Sequence, residues 1–249
     1  MITFTKKVKN MKISKEQFLK EEDDLKAELL ELKRKEDGIF IDGAFSALNY
    51  FNSNLKILWI LKEAYGDSFD YTKFYNDEFD KFFDDLICGV PRYTWGTIAR
   101  ITNNIVNGFA IEANLGDIFS QKKQIQQSLS KIAFININKN SSDTGGRSSD
   151  HNIVKAREYY NDFLSKQIEH LDPDVIICGN TFQFLREKYH YPDLIKRKNN
   201  IDYVDHYIIG NKLFLDPYHP GYLAYGKIDA ASYINDIVRT IKDCLPLKS

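Results

Sequence analysis

Lys56-Ile57-Leu58-Trp59-Ile60-Leu61 is the stretch on which the fold turns, and two others repeat its character: Lys131-Ile132-Ala133-Phe134-Ile135-Asn136-Ile137 and Asp174-Val175-Ile176-Ile177-Cys178. Each is short and continuously apolar. A strand exposed on one face alternates apolar and polar residues, whereas a parallel strand covered on both faces does not. Lys212-Leu213-Phe214-Leu215 reads as a fourth strand, with Tyr203–Gly210 a candidate edge strand before it. Helical patterns separate these runs at Asp70–Leu86, Thr94–Val106, Asn152–Leu171, Phe182–Tyr189 and Ala230–Leu245. Strands alternating with helices imply right-handed crossovers and a parallel sheet. The expected fold is α/β, a three-layer α/β/α arrangement around a central, mainly parallel four-stranded sheet.

Upstream, Ile13 to Lys35 carries Phe18, Leu25, Leu29 and Leu32 at helical spacing beside a dense charged face. Asp42 is placed to cap a second helix running through Phe51. Residues 1–52 are therefore expected to form an N-terminal helical extension packed on the core, and residues 53–249 the α/β domain.

The 249 residues are 43% hydrophobic and 28% charged, an ordinary globular balance with enough chain to bury a sizeable core. No apolar run approaches the roughly 18–20 residues of a membrane span, and the start of the chain lacks the apolar stretch of a secretory signal. The three cysteines, Cys88, Cys178 and Cys244, are far apart and form no metal-spaced pair. Buried thiols in a reducing cytoplasm are expected, with neither metal nor other cofactor. A formal net charge of −1 gives no overall basic excess. Any DNA-contacting face has to arise from segregated charge, because phosphate contacts supply most non-specific affinity.

In open parallel sheets ligands sit beyond the carboxyl ends of the strands, and polar residues follow each strand here. The first is followed by Lys62-Glu63-Ala64-Tyr65-Gly66-Asp67, which brings two carboxylates and a glycine that permits close backbone approach. The second ends on Asn136, an amide inside an apolar strand, with Asn138 and Lys139 just beyond. A buried amide finds partners within the protein or offers its paired donor and acceptor to a ligand edge. The fourth is followed by Asp216-Pro217-Tyr218-His219-Pro220-Gly221-Tyr222-Leu223, where two prolines restrain the backbone around His219. Thr94 is a candidate helix cap, and Trp95 either a core residue or a stacking surface. The loop and helix start with Arg147, Ser148, His151, Lys155 and Arg157 reads either as solvated or as a phosphate contact, and Lys196-Arg197-Lys198 as an exposed basic turn.

These segments resemble the uracil-DNA glycosylase superfamily over roughly residues 55 to 245. Lys62-Glu63-Ala64-Tyr65-Gly66 resembles the first glycosylase motif in its Gly-Glu-Ala-Pro-Gly form. Ile135-Asn136-Ile137-Asn138-Lys139 is similar to the strand whose Asn, followed three residues later by Lys, closes the base pocket. His219-Pro220-Gly221-Tyr222-Leu223 resembles the His-Pro-Ser-x-Leu motif, and Asp174–Gly179 the family's strand ending in Gly. The resemblance implies a glycosylase that hydrolyses the bond to uracil or another deaminated base flipped out of DNA, as in base-excision repair. It implies His219 as donor to the ring oxygen that gains charge, Asn136 as reader of the base edge with Tyr65 and Gly66 lining the pocket, and Glu63 or Asp67 as the residue that orients water. Leu223 becomes the wedge that fills the gap in the stack, with Tyr222 and Tyr225 stacking on exposed bases or packing nearby and Lys139 a further DNA contact, to which the loop reading adds Arg147.

The chain departs from the pattern at defined places. Lys62 stands for the first Gly, Tyr65 for the Pro, and Gly221 for the Ser. The water-activating Asp of the best-known members aligns with Ala64, and three scattered cysteines do not supply the four that hold an iron–sulfur cluster. Two other functions fit such changes: a same-fold hydrolase or sensor of a different nucleoside or nucleotide, and a non-catalytic module binding nucleic acid or protein.

Overall fold

The computed structural model of the chain describes residues 13–32, 40–65, 91–111, 122–142, 149–186 and 204–245. In chain order these form α1 (Lys15–Leu32), β1 (Gly43–Ala44), α2 (Ala47–Phe51), β2 (Ile57–Leu61) and β3 (Ala64–Tyr65). There follow α3 (Pro91–Val106), α4 (Lys122–Leu129), β4 (Ile132–Asn136), β5 (Ser141–Ser142), α5 (Asp150–Tyr159) and α6 (Asn161–Leu171). The last third holds β6 (Val175–Cys178), α7 (Phe182–Arg186), β7 (Val204–Ile209), β8 (Lys212–Pro217), a 3-10 turn (Pro220–Tyr225) and α8 (Ala230–Cys244). The expected helix Asp70–Leu86, together with Gly66, Asp67, Arg147, Ser148 and Lys196–Lys198, lies outside the described residues.

The α/β class is as expected, but the sheet is larger than the four strands read from the sequence. It has six, in the order β1-β4-β2-β6-β8-β7. The inner four run parallel, while β1 and β7 close the two edges antiparallel, so the sheet is mixed. Gly43 and Ala44, expected within the helical extension, pair with Phe134 and Ala133 and belong to the sheet. A second, two-stranded sheet joins Ala64–Tyr65 to Ser141–Ser142 in parallel.

Every residue of β2, β4 and β6 is buried, which is why these runs do not alternate. One face, carrying Trp59, Phe134, Ile177 and Leu215, packs against α3, α4 and α8. The other, carrying Leu58, Ile135, Ile176 and Phe214, packs against α1, α5 and α6. At about 25 cal/mol per Å² of apolar surface removed from water, these two layers dominate the stability.

Local departures have local causes. Asp42 does not cap α2; Ser46 does, accepting from the Asn49 amide, and Asp42 is buried in the sheet edge. Thr94 is no cap either, because α3 already begins at Pro91, a position where the missing N–H of proline is no loss. The single helix expected over 152–171 breaks at Tyr160, whose ring is buried and whose hydroxyl donates to Asn140 Oδ1 at 2.8 Å. The first helix docks through Phe18, stacked on His170 at 4.3 Å, and through buried Leu29. Among the described residues no helix is long and apolar enough to cross a membrane.

Candidate functional site

Three parallel strands deliver their carboxyl ends to one edge of the sheet: β2, β4 and β6, with β8 beside them. Pairing continues past the strands themselves. Ile137 donates to Leu61 O at 3.0 Å and Asn138 to Lys62 O at 2.9 Å, while Gly179 donates to Ile60 O at 3.0 Å. The residues just beyond the apolar runs are thus as firmly placed as the strands.

Asn136 closes β4 opposite Leu61 and is 1% exposed. Strand alternation puts it on the same face as Phe134, beneath α3. Its backbone amide donates to Asp42 Oδ2 at 2.7 Å. Its side-chain Nδ2 is buried and has no hydrogen-bond partner among the described residues. Buried amides are normally satisfied, and an orphan carries a penalty of roughly 1–3 kcal/mol. A ligand acceptor at this position removes it.

Lys139 is corrected by the structure. Expected to contact DNA, it is fully buried, with Nζ donating to Asp42 Oδ1 at 2.6 Å and to Gln167 Oε1 at 2.8 Å. Burial pushes its amine below the ordinary lysine value and the Asp42 charge opposes that shift. A side chain so enclosed cannot meet a phosphate.

His219 follows β8 and leans back across the edge. A Cβ added to Gly179 at the end of β6 would stand 3.6 Å from His219 Cδ2 and only 2.9 Å from Leu61 Cδ2. Glycine at 179 is what lets the imidazole lie over the β6 end. The Gly221 amide donates to His219 Nδ1 at 3.0 Å. An accepting ring nitrogen carries no proton, so in the neutral ring the hydrogen sits on Nε2 and makes that atom a donor.

Glu63 lies two residues beyond β2 and is 8% exposed, at the same edge. For Tyr65 the backbone pairs with Ser142. Leu223 is the second correction. Expected to protrude as a wedge, it is 8% exposed and packed in the core beneath α3. The exposed rings in this segment are instead Tyr218 and Tyr225, at 48% and 59%. Tyr222 lies between them, with centroids 6.1 Å from each. Trp95 is a core residue, edge-on to Phe134 at 4.9 Å.

The sequence reading did not single out Thr94 and Asn180 for the site, or Asp42 and Gln167 as supports of Asn136. Thr94 Oγ1 would lie 3.2 Å from a Cβ at Gly221, so α3 abuts the His219 turn. Asn180 adopts a left-handed φ of 58° and donates to Pro217 O at 2.9 Å, tying the β6 turn to β8. The Gly179-Asn180 pair was the available signal, since Asn tolerates that conformation. Among the described residues no group of three or more His, Cys, Asp or Glu could hold a metal ion. No protein-family model matches the chain, and no curated protein matches it.

Proposed function

We propose that the chain is a base-excising N-glycosylase of the uracil-DNA glycosylase type, acting on uracil or another deaminated base turned out of a DNA strand. One observation carries this reading: a buried amide donor without a protein partner and an imidazole with a fixed donor nitrogen share one sheet edge and one face. Asn136 ends β4, and His219 lies over the end of β6, two strands away. Two strand spacings are about 10 Å. A pyrimidine ring with a hydrogen bond at each exocyclic oxygen also spans on the order of 10 Å.

The chemistry follows from the donors. As the bond between the sugar C1′ and the base nitrogen breaks, its electron pair passes into the ring and collects on the keto oxygen of the adjacent carbon. His219 Nε2–H, held in place by Gly221, stabilises that charge where it develops. Asn136 Nδ2 donates to the second keto oxygen; a base with an amino group there would set donor against donor. Glu63 orients the water that adds to C1′ and takes its proton, leaving free base and an abasic sugar.

The test is base release from single- and double-stranded uracil oligonucleotides. Release is expected, reduced at least ~100-fold by His219→Ala. Intact substrates with wild-type protein across a range of salt would remove the assignment. The net charge of −1 and the Ala64 departure favour a second substrate class, a free nucleoside or nucleotide. Thermal stabilisation by nucleotides without any action on DNA would select it.

A further inference from the structure

The outer edge of β4 is covered by β1 only as far as the pair Gly43 with Phe134. Two residues further on, the backbone N–H of Asn136 meets the carboxylate of Asp42 at 2.7 Å instead of a strand carbonyl. The other oxygen of that carboxylate accepts from Lys139 Nζ at 2.6 Å and from Gln167 Nε2 at 3.0 Å. Gln167 closes the arrangement by donating to Asp42 O at 2.9 Å and accepting from Lys139 at 2.8 Å. Both charged side chains are 0% exposed, and Lys139 Nζ lies 5.5 Å from the centre of the Phe163 ring.

A buried ion pair is a poor device for stability alone, because hydrocarbon of the same shape usually serves as well or better. Its advantage is geometric: a charge-assisted bond is shorter and more directional than a neutral one. Here that bond grips the backbone atom next to the side chain whose donor stands unpartnered. Lys139 Nζ supplies the countercharge to the carboxylate within this enclosed site. Asp42 is 94 residues from Asn136 in sequence, whereas Lys139 is three, so a local turn and a distant strand meet on one atom.

We propose that Asp42, paired with Lys139 and oriented by Gln167, is the positioning residue that fixes Asn136 for reading the base. The inference rests on the reading of Asn136 given above. It makes the lysine three residues after the asparagine part of the reader's support and takes it out of the DNA contacts.

The experiment uses the full chain and three variants, Asp42→Asn, Lys139→Met and the two combined, each checked by thermal unfolding. The combined variant removes both charges of the pair and serves where either single change fails to fold. Two readouts are taken: uracil against cytosine release from otherwise identical single-stranded oligonucleotides, and the Asn136 amide signals by NMR. The variants are expected to lose at least about tenfold in uracil release with no matching loss in any release of cytosine, so discrimination falls. Backbone amide exchange at Asn136 is expected to quicken at least about tenfold, with its side-chain NH2 pair averaging. Equal losses for both bases, or folded variants with unchanged Asn136 signals, overturn the proposal. Wild-type protein that releases no uracil sinks the glycosylase reading, and the NMR comparison still decides whether Asp42 fixes Asn136.

Discussion

The Gly221 amide donates to His219 Nδ1 at 3.0 Å, and a Cβ placed on Gly221 would stand 3.0 Å from that same nitrogen. Position 221 therefore fixes the ring, and a side chain there would press on the imidazole. Thr94 Oγ1 would also crowd that Cβ, at 3.2 Å. Gly221→Ala is expected to displace the imidazole and lower base release about tenfold or more, since small misplacements of a catalytic group are costly. Gly221→Ser, which restores the residue that the motif resemblance would place there, is expected to impair the chain in the same way. Adding Thr94→Ala should recover part of the loss by giving the new side chain somewhere to go. Kinetics on a uracil oligonucleotide, alongside thermal unfolding, check all three; a fully active Gly221→Ser protein would contradict the crowding.

Leu223 and Tyr225 make opposite predictions. Leu223 is 8% exposed within the core, so Leu223→Ala should cost about 2–5 kcal/mol of stability. A protruding wedge would cost almost none. Tyr225 is 59% exposed, and with Tyr218 and Tyr222 it forms a row of rings next to His219. Unpaired bases stack on such rings at about 1–3 kcal/mol each. Tyr225→Ala is expected to weaken binding of a single-stranded oligonucleotide about tenfold with little change in stability, and Tyr225→Phe to retain it. Fluorescence anisotropy measures the affinity, and equal binding by all three proteins would dismiss the rings as a stacking surface.

The parts of the fold that were legible are those in which burial leaves a mark on neighbouring residues. Val175 to Cys178 had to be apolar throughout because helices cover both faces, and the same holds for Ile57–Leu61 and for β4 up to Ile135. Gly43 and Ala44 left no such mark, since two residues carry no period, and the antiparallel edge they form could not be read. Asn136 and His219 stood out as polar residues at or just beyond the ends of strands. Lys139 stood out equally, but its burial depends on Asp42, which is 97 residues away. Long-range polar partners of this kind leave no local pattern. Leu223 misled for a related reason: a leucine in a turn reads alike whether it protrudes or packs, and only the position of α3 decides.

Asp216 gives the stability of the fold a pH dependence of known sign. It is partly buried and lies opposite Asp205 in the β7–β8 pair. Burial and, to a lesser degree, the Asp205 charge push its carboxyl up to about 6, against the opposing Phe182 amide at 3.4 Å. The folded protein thus holds a proton that the unfolded chain, near the ordinary 3.8, releases earlier. That preference stabilises the fold fully below the unfolded value and is lost as pH rises through about 6. Asp216→Asn, which never ionises, is expected to be the more stable protein at about pH 8, by up to about 3 kcal/mol, and no more stable at about pH 4. Urea unfolding at the two pH values measures the difference. A gain of the same size at both would show that the carboxyl charge is not its source.

His170 produces a dependence localised on the first helix. Its imidazole is 4% exposed and is gripped by Glu22 Oε2 at 2.7 Å and Glu21 Oε2 at 3.1 Å, both from α1. Burial works against the charged ring, but the bonds and charges of Glu22 and Glu21 together prevail and hold its pKa above the ordinary value. The contribution is accordingly complete below the unfolded histidine value of about 6.5 and disappears as pH rises through the higher folded one. What is lost is the clamp between α1 and α6, because Phe18 stacks on the same ring and the other oxygen of Glu22 accepts the Ala44 amide at 3.2 Å. Amide exchange across α1 is expected to accelerate, relative to the sheet, as pH rises above the ordinary histidine value of about 6.5, after correction for intrinsic rates. His170→Gln should flatten that response by fixing a neutral side chain in place. If wild-type α1 keeps the same protection relative to the sheet throughout the range, the ring is not charged in the folded protein and the clamp is held by packing alone.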